Sequence, residues 1–198
     1  MSIRKKTMLM LFVDFLICLL IQLFGLFIFS WMFNYSWGKP VYSIVFCLTF
    51  FGVQYSRVHT AASRALKRKE LKPVTEGLIM AAPLVIVNLV IILVYGLMQM
   101  NVIPIRDVVA NVVYEFPDDA PRNANKIYLL SYIAMGVRLW FSHLSGFMNE
   151  KTPAALLLIS PAITLLASYL GYLAGSKKYY LSDLIYKVQE KVKKKFNE

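Results

Sequence analysis

The sequence predicts an all-α fold, a polytopic integral membrane helical bundle with four transmembrane helices, and its composition and charge pattern carry the prediction. Of 198 residues, 58% are hydrophobic and 17% are charged, against roughly 25% charged in a typical soluble domain. The mean hydropathy is +0.56, and basic residues gather in blocks beside long apolar stretches. This composition excludes a disordered chain and a disulfide scaffold, and it disfavours a soluble enzyme.

Five apolar stretches are long enough to be considered as spans, because a hydrocarbon core of about 30 Å needs about 20 helical residues. They lie near residues 8–30, 40–56, 77–99, 127–147 and 153–174. The first stretch is too long for the apolar region of a secretory signal and has no A-x-A cleavage site, so we expect it to remain as an uncleaved span.

The basic residues favour four spans over five. Blocks at 4–6, 57–72 and 177–195 contain three, six and seven Lys or Arg residues. Four spans place all sixteen on one side of the membrane, whereas five spans divide them about evenly. Cytoplasmic loops carry the excess of positive charge in membrane proteins. The sequence therefore predicts a cell-membrane protein with both termini in the cytoplasm.

The stretch near 127–147 is the one to exclude as a span, because it contains Arg138 and His143. A charged residue at the centre of a span costs about 2.5–3.5 kcal/mol on translocon scales. Five polar residues follow one stripe of a helix: Ser131, Arg138, Ser142, Ser145 and Asn149. We expect this helix to lie in the outer interface, with Tyr128, Tyr132 and Trp140 at the level of the headgroups. The alternative is a fifth span whose stripe lines a polar interior.

A second amphipathic helix is expected just before it. Ile105, Val108, Val109, Val112, Val113 and Phe116 recur at helical spacing. Pro104 suits the first turn, Pro117 stops the run, and residues 118–121 form a polar turn. Residues 100–150 are thus predicted to form an outer cap of two amphipathic helices.

The cytoplasmic segments are expected to contact anionic lipid. The second span is predicted to continue as a helix beyond the bilayer, and the tail 176–198 has the apolar spacing of a basic amphipathic helix on the inner leaflet. The basic residues expected to contact phosphates are Arg64, Lys67, Arg68, Lys69, Lys187, Lys191, Lys194 and Lys195. An acidic partner, or a topology anchor without a partner, remains the alternative. Nothing indicates nucleic-acid binding.

Asp14 lies about two turns inside the first span, where a carboxylate is costly without a partner. Arg57 follows the second span at its cytoplasmic end, and the two spans are adjacent and antiparallel, so a structural Asp14–Arg57 ion pair is expected. The alternative is a titrating Asp14 in a transporter. Gln22 shares the helix face of Asp14, and Asn88 is in the middle of the third segment; we expect such polar side chains to bond across helices.

The last span carries a row of small residues that allows close helix packing, namely Ala167, Gly171 and Gly175. Cys18 and Cys47 are expected to be small buried hydrophobic residues. The sequence has no nucleophile elbow, zinc-protease motif, P-loop or paired carboxylates. It therefore predicts no enzyme, no metal site and no cofactor.

The end of the last span reads Gly171-Tyr172-Leu173-Ala174-Gly175-Ser176-Lys177-Lys178, followed by Leu181-Ser182. This pattern resembles the close of small uncharacterised four-span membrane proteins of Gram-positive bacteria. The resemblance covers about the last fifth of the chain, implies a cytoplasmic tail, and implies no activity.

These features favour a non-catalytic accessory or scaffold subunit that binds another membrane protein or a second copy of itself. The alternative is a small transporter or channel component whose polar path is lined by Asp14, Gln22, Asn88 and Arg138.

Overall fold

The computed structural model describes residues 2–105, 107–115, 123–148 and 152–177 of the chain. The helices are α1 (Ile3–Ile28), α2 (Gly38–Lys67), α3 (Glu76–Gln99), α4 (Leu129–Trp140) and α5 (Ile159–Ser176). Two strands, β1 (Val109–Glu115) and β2 (Asn123–Tyr128), precede α4. Short 3-10 helices cover Ser30–Asn34, Ser142–Phe147 and Ala154–Leu158.

Four helices in the described part of the chain are long and apolar enough to cross a membrane: α1, α2, α3 and the combined segment Ala154–Ser176. The predicted helical bundle is confirmed, and its four long apolar helices overlap the four expected spans. The chain is therefore consistent with a multi-pass membrane protein. As expected, α2 continues to Lys67, well beyond the apolar stretch that ends near residue 56.

The bundle has two ends with different character. At the basic end, α1 and α3 begin and α2 and α5 finish; at the opposite end, which we call the hairpin end, the β-strands join the bundle. The basic end is tied together by Arg4, which donates to Glu76 across α1 and α3 with a 2.6 Å Nη2–Oε2 distance. The Tyr172 hydroxyl also contacts the backbone N–H and carbonyl of Lys72. These contacts join α5 and α1 to the start of α3.

The small-residue row of α5 packs against α2, its main neighbour. Ala167 is fully buried. A Cβ added to Gly171 would lie 2.6 Å from the carbonyl oxygen of Tyr55, and one added to Gly175 would meet the carbonyl of His59. The row therefore serves packing inside the chain, and it is not an open face for another protein.

The predicted helix over residues 105–116 is wrong. Residues 109–115 form β1, which pairs antiparallel with β2, Val109 opposite Tyr128 and Glu115 opposite Asn123. The run is rich in valine, and β-branched residues fit a pleated sheet better than a helix. Apolar spacing alone does not separate a strand from a helix in so short a run. Phe116 and the predicted turn at 118–121 lie outside the described residues.

The predicted interfacial helix over 127–147 is also wrong in its position and length. The helix α4 ends at Trp140, and the chain turns into the 3-10 helix Ser142–Phe147. Ser142, His143 and Leu144 are buried, so the polar stripe does not lie along one exposed helix. Tyr128 and Tyr132 are exposed, but Trp140 packs inside the bundle. Asn149 lies outside the described residues.

Residues 129–147 instead form a segment that enters the bundle from the hairpin end and returns to it; we call it the re-entrant segment. Its deepest residues contact Gln22, six residues from the end of α1, and Asn88, eleven residues from the end of α3. At 1.5 Å per helical residue these partners lie about 9 and 17 Å inside the bundle. Irregular backbone is tolerated at such depth when protein surrounds it.

The return of the re-entrant segment depends on Gly146. Its backbone N–H donates to Ser43 Oγ at 2.8 Å near the start of α2. A Cβ at this position would clash with the carbonyl of Lys39. Only glycine leaves the space for this close approach of two backbones.

The helix α5 finishes at Ser176. The predicted amphipathic tail, together with Lys187, Lys191, Lys194 and Lys195, lies outside the described residues.

Candidate functional site

The tip of the re-entrant segment forms a polar contact with the middle of α3. The indole Nε1 of Trp140 donates a 2.9 Å hydrogen bond to Asn88 Oδ1. Asn88 is fully buried, and the Trp140 ring packs against Phe15 of α1 with ring centroids 5.0 Å apart. The amide that the sequence places in the middle of a span thus bonds to the re-entrant segment.

Gln22 is bonded to the same segment from α1. Ser142 Oγ donates to Gln22 Oε1 at 2.7 Å, and the Tyr42 hydroxyl of α2 donates to the Gln22 carbonyl oxygen at 2.6 Å. Gln22 and Ser142 are both buried. Three elements therefore meet at Gln22, and the two hydroxyl groups replace water as partners of its side-chain and backbone oxygens.

His143 lies between aromatic rings next to this network. Its ring stacks on Phe50 with a centroid distance of 4.8 Å, and its carbonyl oxygen accepts a 3.4 Å contact from Cys47 Sγ. His143 Nε2 and Asn88 Nδ2 have no hydrogen-bond partner among the described residues. The centre of the bundle therefore retains some hydrogen-bonding capacity.

Asp14 and Arg57 form the ion pair that their depths suggested. Arg57 donates through Nε to Asp14 Oδ2 at 2.6 Å and through Nη2 to Asp14 Oδ1 at 2.7 Å. The Asp14 side chain is 7% exposed and the Arg57 side chain 41% exposed. This two-point geometry is typical of strong guanidinium–carboxylate pairs.

Arg138 stands apart from the other three polar residues. It lines a groove at the hairpin end together with Tyr95, Gln99 and Ser131. Gln22 and Asn88 are buried and bonded, and Asp14 is paired toward the basic end. The structure therefore does not bring Asp14, Gln22, Asn88 and Arg138 together along one open path.

The basic residues of α2 and of the two positions after it divide into two groups. Arg57, Arg64 and Arg68 line a groove between α1 and α2 at the basic end. Lys67 and Lys69 are exposed at the same end but do not line this groove. The residues predicted to contact lipid phosphates thus have different surroundings.

Sequence reasoning found the partner of Asp14 but missed the partners of Gln22 and Asn88. The Arg4–Glu76 pair had a signal, since an acidic residue begins α3 opposite a basic start of α1. The roles of Trp140, Ser142 and Tyr42 had none, because each depends on the insertion of the re-entrant segment.

Comparison of the chain with protein-family models, with curated proteins and with solved structures finds no match. The resemblance of its last fifth to four-span proteins of Gram-positive bacteria therefore stays a prediction.

Proposed function

We propose that the chain is a non-catalytic membrane subunit that binds another membrane protein through the β1–β2 hairpin. The observation that carries this proposal is the way the hairpin is anchored. The strand β2 continues directly into α4, and the tip of the re-entrant segment is bonded to Asn88 and Gln22 in the bundle interior. These bonds hold the segment that follows the hairpin inside the bundle, so the base of the hairpin is fixed to it.

The hairpin itself is open to a partner. Among the described elements it contacts α4 most, and Val108, Val109 and Tyr128 are between 41% and 46% exposed. In the described part of the chain each strand pairs only with the other, so each has a second edge without a strand partner. Such edges bind an added strand through backbone hydrogen bonds. The proposed partner is therefore a membrane protein with an extended strand in its external domain.

Sidedness follows from charge. Among the residues that the structure describes, ten Lys and Arg residues lie at the basic end: Arg4, Lys5, Lys6, Arg57, Arg64, Lys67, Arg68, Lys69, Lys72 and Lys177. The described part of the hairpin end carries Lys39, Lys126 and Arg138. Because cytoplasmic segments are enriched in Lys and Arg, we place the basic end in the cytoplasm and the hairpin outside.

The transport alternative has less support. Its four polar residues occupy three separate places, and those in the bundle are bonded to other side chains. The small-residue row, which the sequence offered as a reason to expect a partner, is covered by α2. The proposal now depends on the hairpin.

Site-specific photocross-linking in native membranes tests the proposal. A benzoylphenylalanine at Val109 or Tyr128 is expected to give one discrete adduct with another membrane protein. The same probe at Leu93, an exposed apolar residue of α3, is the matched control and is expected to give none. The proposal is overturned if the hairpin positions give no adduct, or an adduct only with a second copy of the chain.

A further inference from the structure

Among the described residues, the groove between α1 and α2 at the basic end is lined by basic side chains and by no acidic one. Its volume is about 200 Å³, and its lining includes Lys6, Arg57, Arg64 and Arg68 together with Met10 and Thr60. No carboxylate lines it. Four basic side chains around one concave surface concentrate positive potential there, and such a surface attracts an anion.

The opposite groove at the same end shows how the chain balances charge elsewhere. It lies against Arg4, Lys5 and Lys72, but Glu70 and Glu76 line it too, and Arg4 is paired with Glu76. Arg57 is the one member of the α1–α2 groove with a carboxylate partner among the described residues, and its bonds to Asp14 use Nε and Nη2. A guanidinium has five N–H donors, so Arg57 retains donors for a further ligand.

The shape of the groove favours a phospholipid over a soluble anion. Arg57 and Thr60 also line a second, more open groove that continues along α1 and α2 past Ser56 and Gly52. Asp14, the partner of Arg57, is the one carboxylate of the described residues that lines this second groove. A Cβ added to Gly52 would have no neighbour within 4 Å, so the surface is open there. From Gly52 to the end of α2 at Lys67 is fifteen residues, about 23 Å along the helix axis, and Arg68 follows directly. A headgroup and an acyl chain together have this length, whereas a free phosphate occupies only one end of it.

We propose that this composite groove binds one anionic phospholipid of the cytoplasmic leaflet. The phosphate lies between Lys6, Arg64 and Arg68, and an acyl chain passes Gly52. The hydroxyl groups of Thr60 and Ser56 lie at the level of the glycerol esters, whose carbonyl oxygens accept hydrogen bonds. Charge-assisted contacts to a phosphate are stronger than those between neutral groups. The groove therefore retains its lipid against exchange with the surrounding lipids of the bilayer.

Native mass spectrometry of the full chain, titrated with phosphatidylglycerol or phosphatidylcholine, tests the proposal. We expect one phosphatidylglycerol to bind with a Kd about tenfold or more below that of phosphatidylcholine. The double substitution R64Q/R68Q is expected to raise the phosphatidylglycerol Kd about tenfold or more. The matched control is K67Q/K69Q, which removes the same charge from the same end outside the groove, and it is expected to leave the Kd within about threefold.

Two further arms identify the ligand and guard against misfolding. Gly52→Phe fills the acyl part without changing any charge, and we expect it to reduce lipid retention while the chain elutes from size exclusion as the unsubstituted protein does. If R64Q/R68Q does not fold, Lys6→Gln tests the phosphate-binding part of the groove independently, and we expect it to weaken phosphatidylglycerol binding. Sodium phosphate is not expected to displace the lipid. Equal losses in R64Q/R68Q and K67Q/K69Q, full retention in Gly52→Phe and Lys6→Gln, or displacement by sodium phosphate would each overturn the proposal.

Discussion

Trp140 and Asn88 join the re-entrant segment to the middle of α3 through one hydrogen bond of 2.9 Å. The bond explains two features that look unrelated in the sequence. A span carries an amide at its centre, and a tryptophan expected at the membrane surface lies inside the bundle. Each polar group is costly to bury without the other, because an unpaired buried donor or acceptor loses its hydration without compensation.

Removing either partner is therefore expected to weaken the bundle, and removing both is expected to cost less than the sum. A double-mutant cycle with Trp140→Phe and Asn88→Leu is expected to give a coupling free energy of about 0.5–2 kcal/mol, the range of hydrogen bonds between membrane helices. The measurement is the free energy of unfolding in mixed micelles. Trp31→Phe, at an exposed tryptophan, is the control and is expected to change stability by less than about 0.5 kcal/mol. A coupling free energy of zero would show that the Trp140–Asn88 bond does not anchor the re-entrant segment.

The Asp14–Arg57 pair makes a different prediction, because both partners are charged. Asp14→Asn or Arg57→Gln alone leaves an uncompensated charge, whereas the double substitution leaves none. Each single variant is expected to lose about 1–3 kcal/mol, less than a fully buried pair because Arg57 is partly exposed, and the double variant is expected to regain part of that loss. Thermal unfolding of the single and double variants in mild detergent measures these changes in stability. An Asp14→Asn protein of unchanged stability that loses an ion-dependent uptake would instead favour transport.

The packing of α5 on α2 is tested by two glycines with opposite surroundings. Gly171→Ala places a methyl group against the Tyr55 carbonyl and is expected to destabilise the bundle by about 1–3 kcal/mol. Gly52→Ala has no neighbour to meet and is expected to be neutral or stabilising by up to about 1 kcal/mol, since alanine is the better helix former. Midpoints of thermal unfolding of the two variants give the comparison. Equal effects would mean that the small-residue row does not govern this contact.

Hydropathy, charge and depth were sufficient to predict the parts of the fold that depend on the bilayer. The four spans follow from length and apolar content, and the Asp14–Arg57 pair follows from the cost of burying a lone carboxylate at matching depth. The spans need no knowledge of which helices are neighbours, and the ion pair needs only that two consecutive spans lie side by side. They concern the interaction of each segment with its solvent.

The parts of the fold that sequence reasoning missed depend on contacts between residues that are distant in the sequence. Val109 and its neighbours have a spacing that fits a helix, and the pairing with Asn123–Tyr128 makes them a strand. Arg138 was the reason to exclude a fifth span, and α4 is too short to be counted as one, but Arg138 gave no information on how deep residues 129–147 lie. That depth depends on Gln22, Asn88 and Ser43, which lie far away in the sequence.

Residues 129–147 enter and leave the bundle at the same end, and labelling of single cysteines is the decisive test of this path. Cys18 and Cys47 are first replaced by alanine, and one cysteine is then placed at Lys126, at Phe147 or at Arg68, all exposed positions. We expect a membrane-impermeant maleimide added to intact cells to label Lys126→Cys and Phe147→Cys, and to label Arg68→Cys only after the membrane is opened. Labelling of Lys126→Cys and Phe147→Cys from opposite sides would show that this segment crosses the membrane and is not re-entrant.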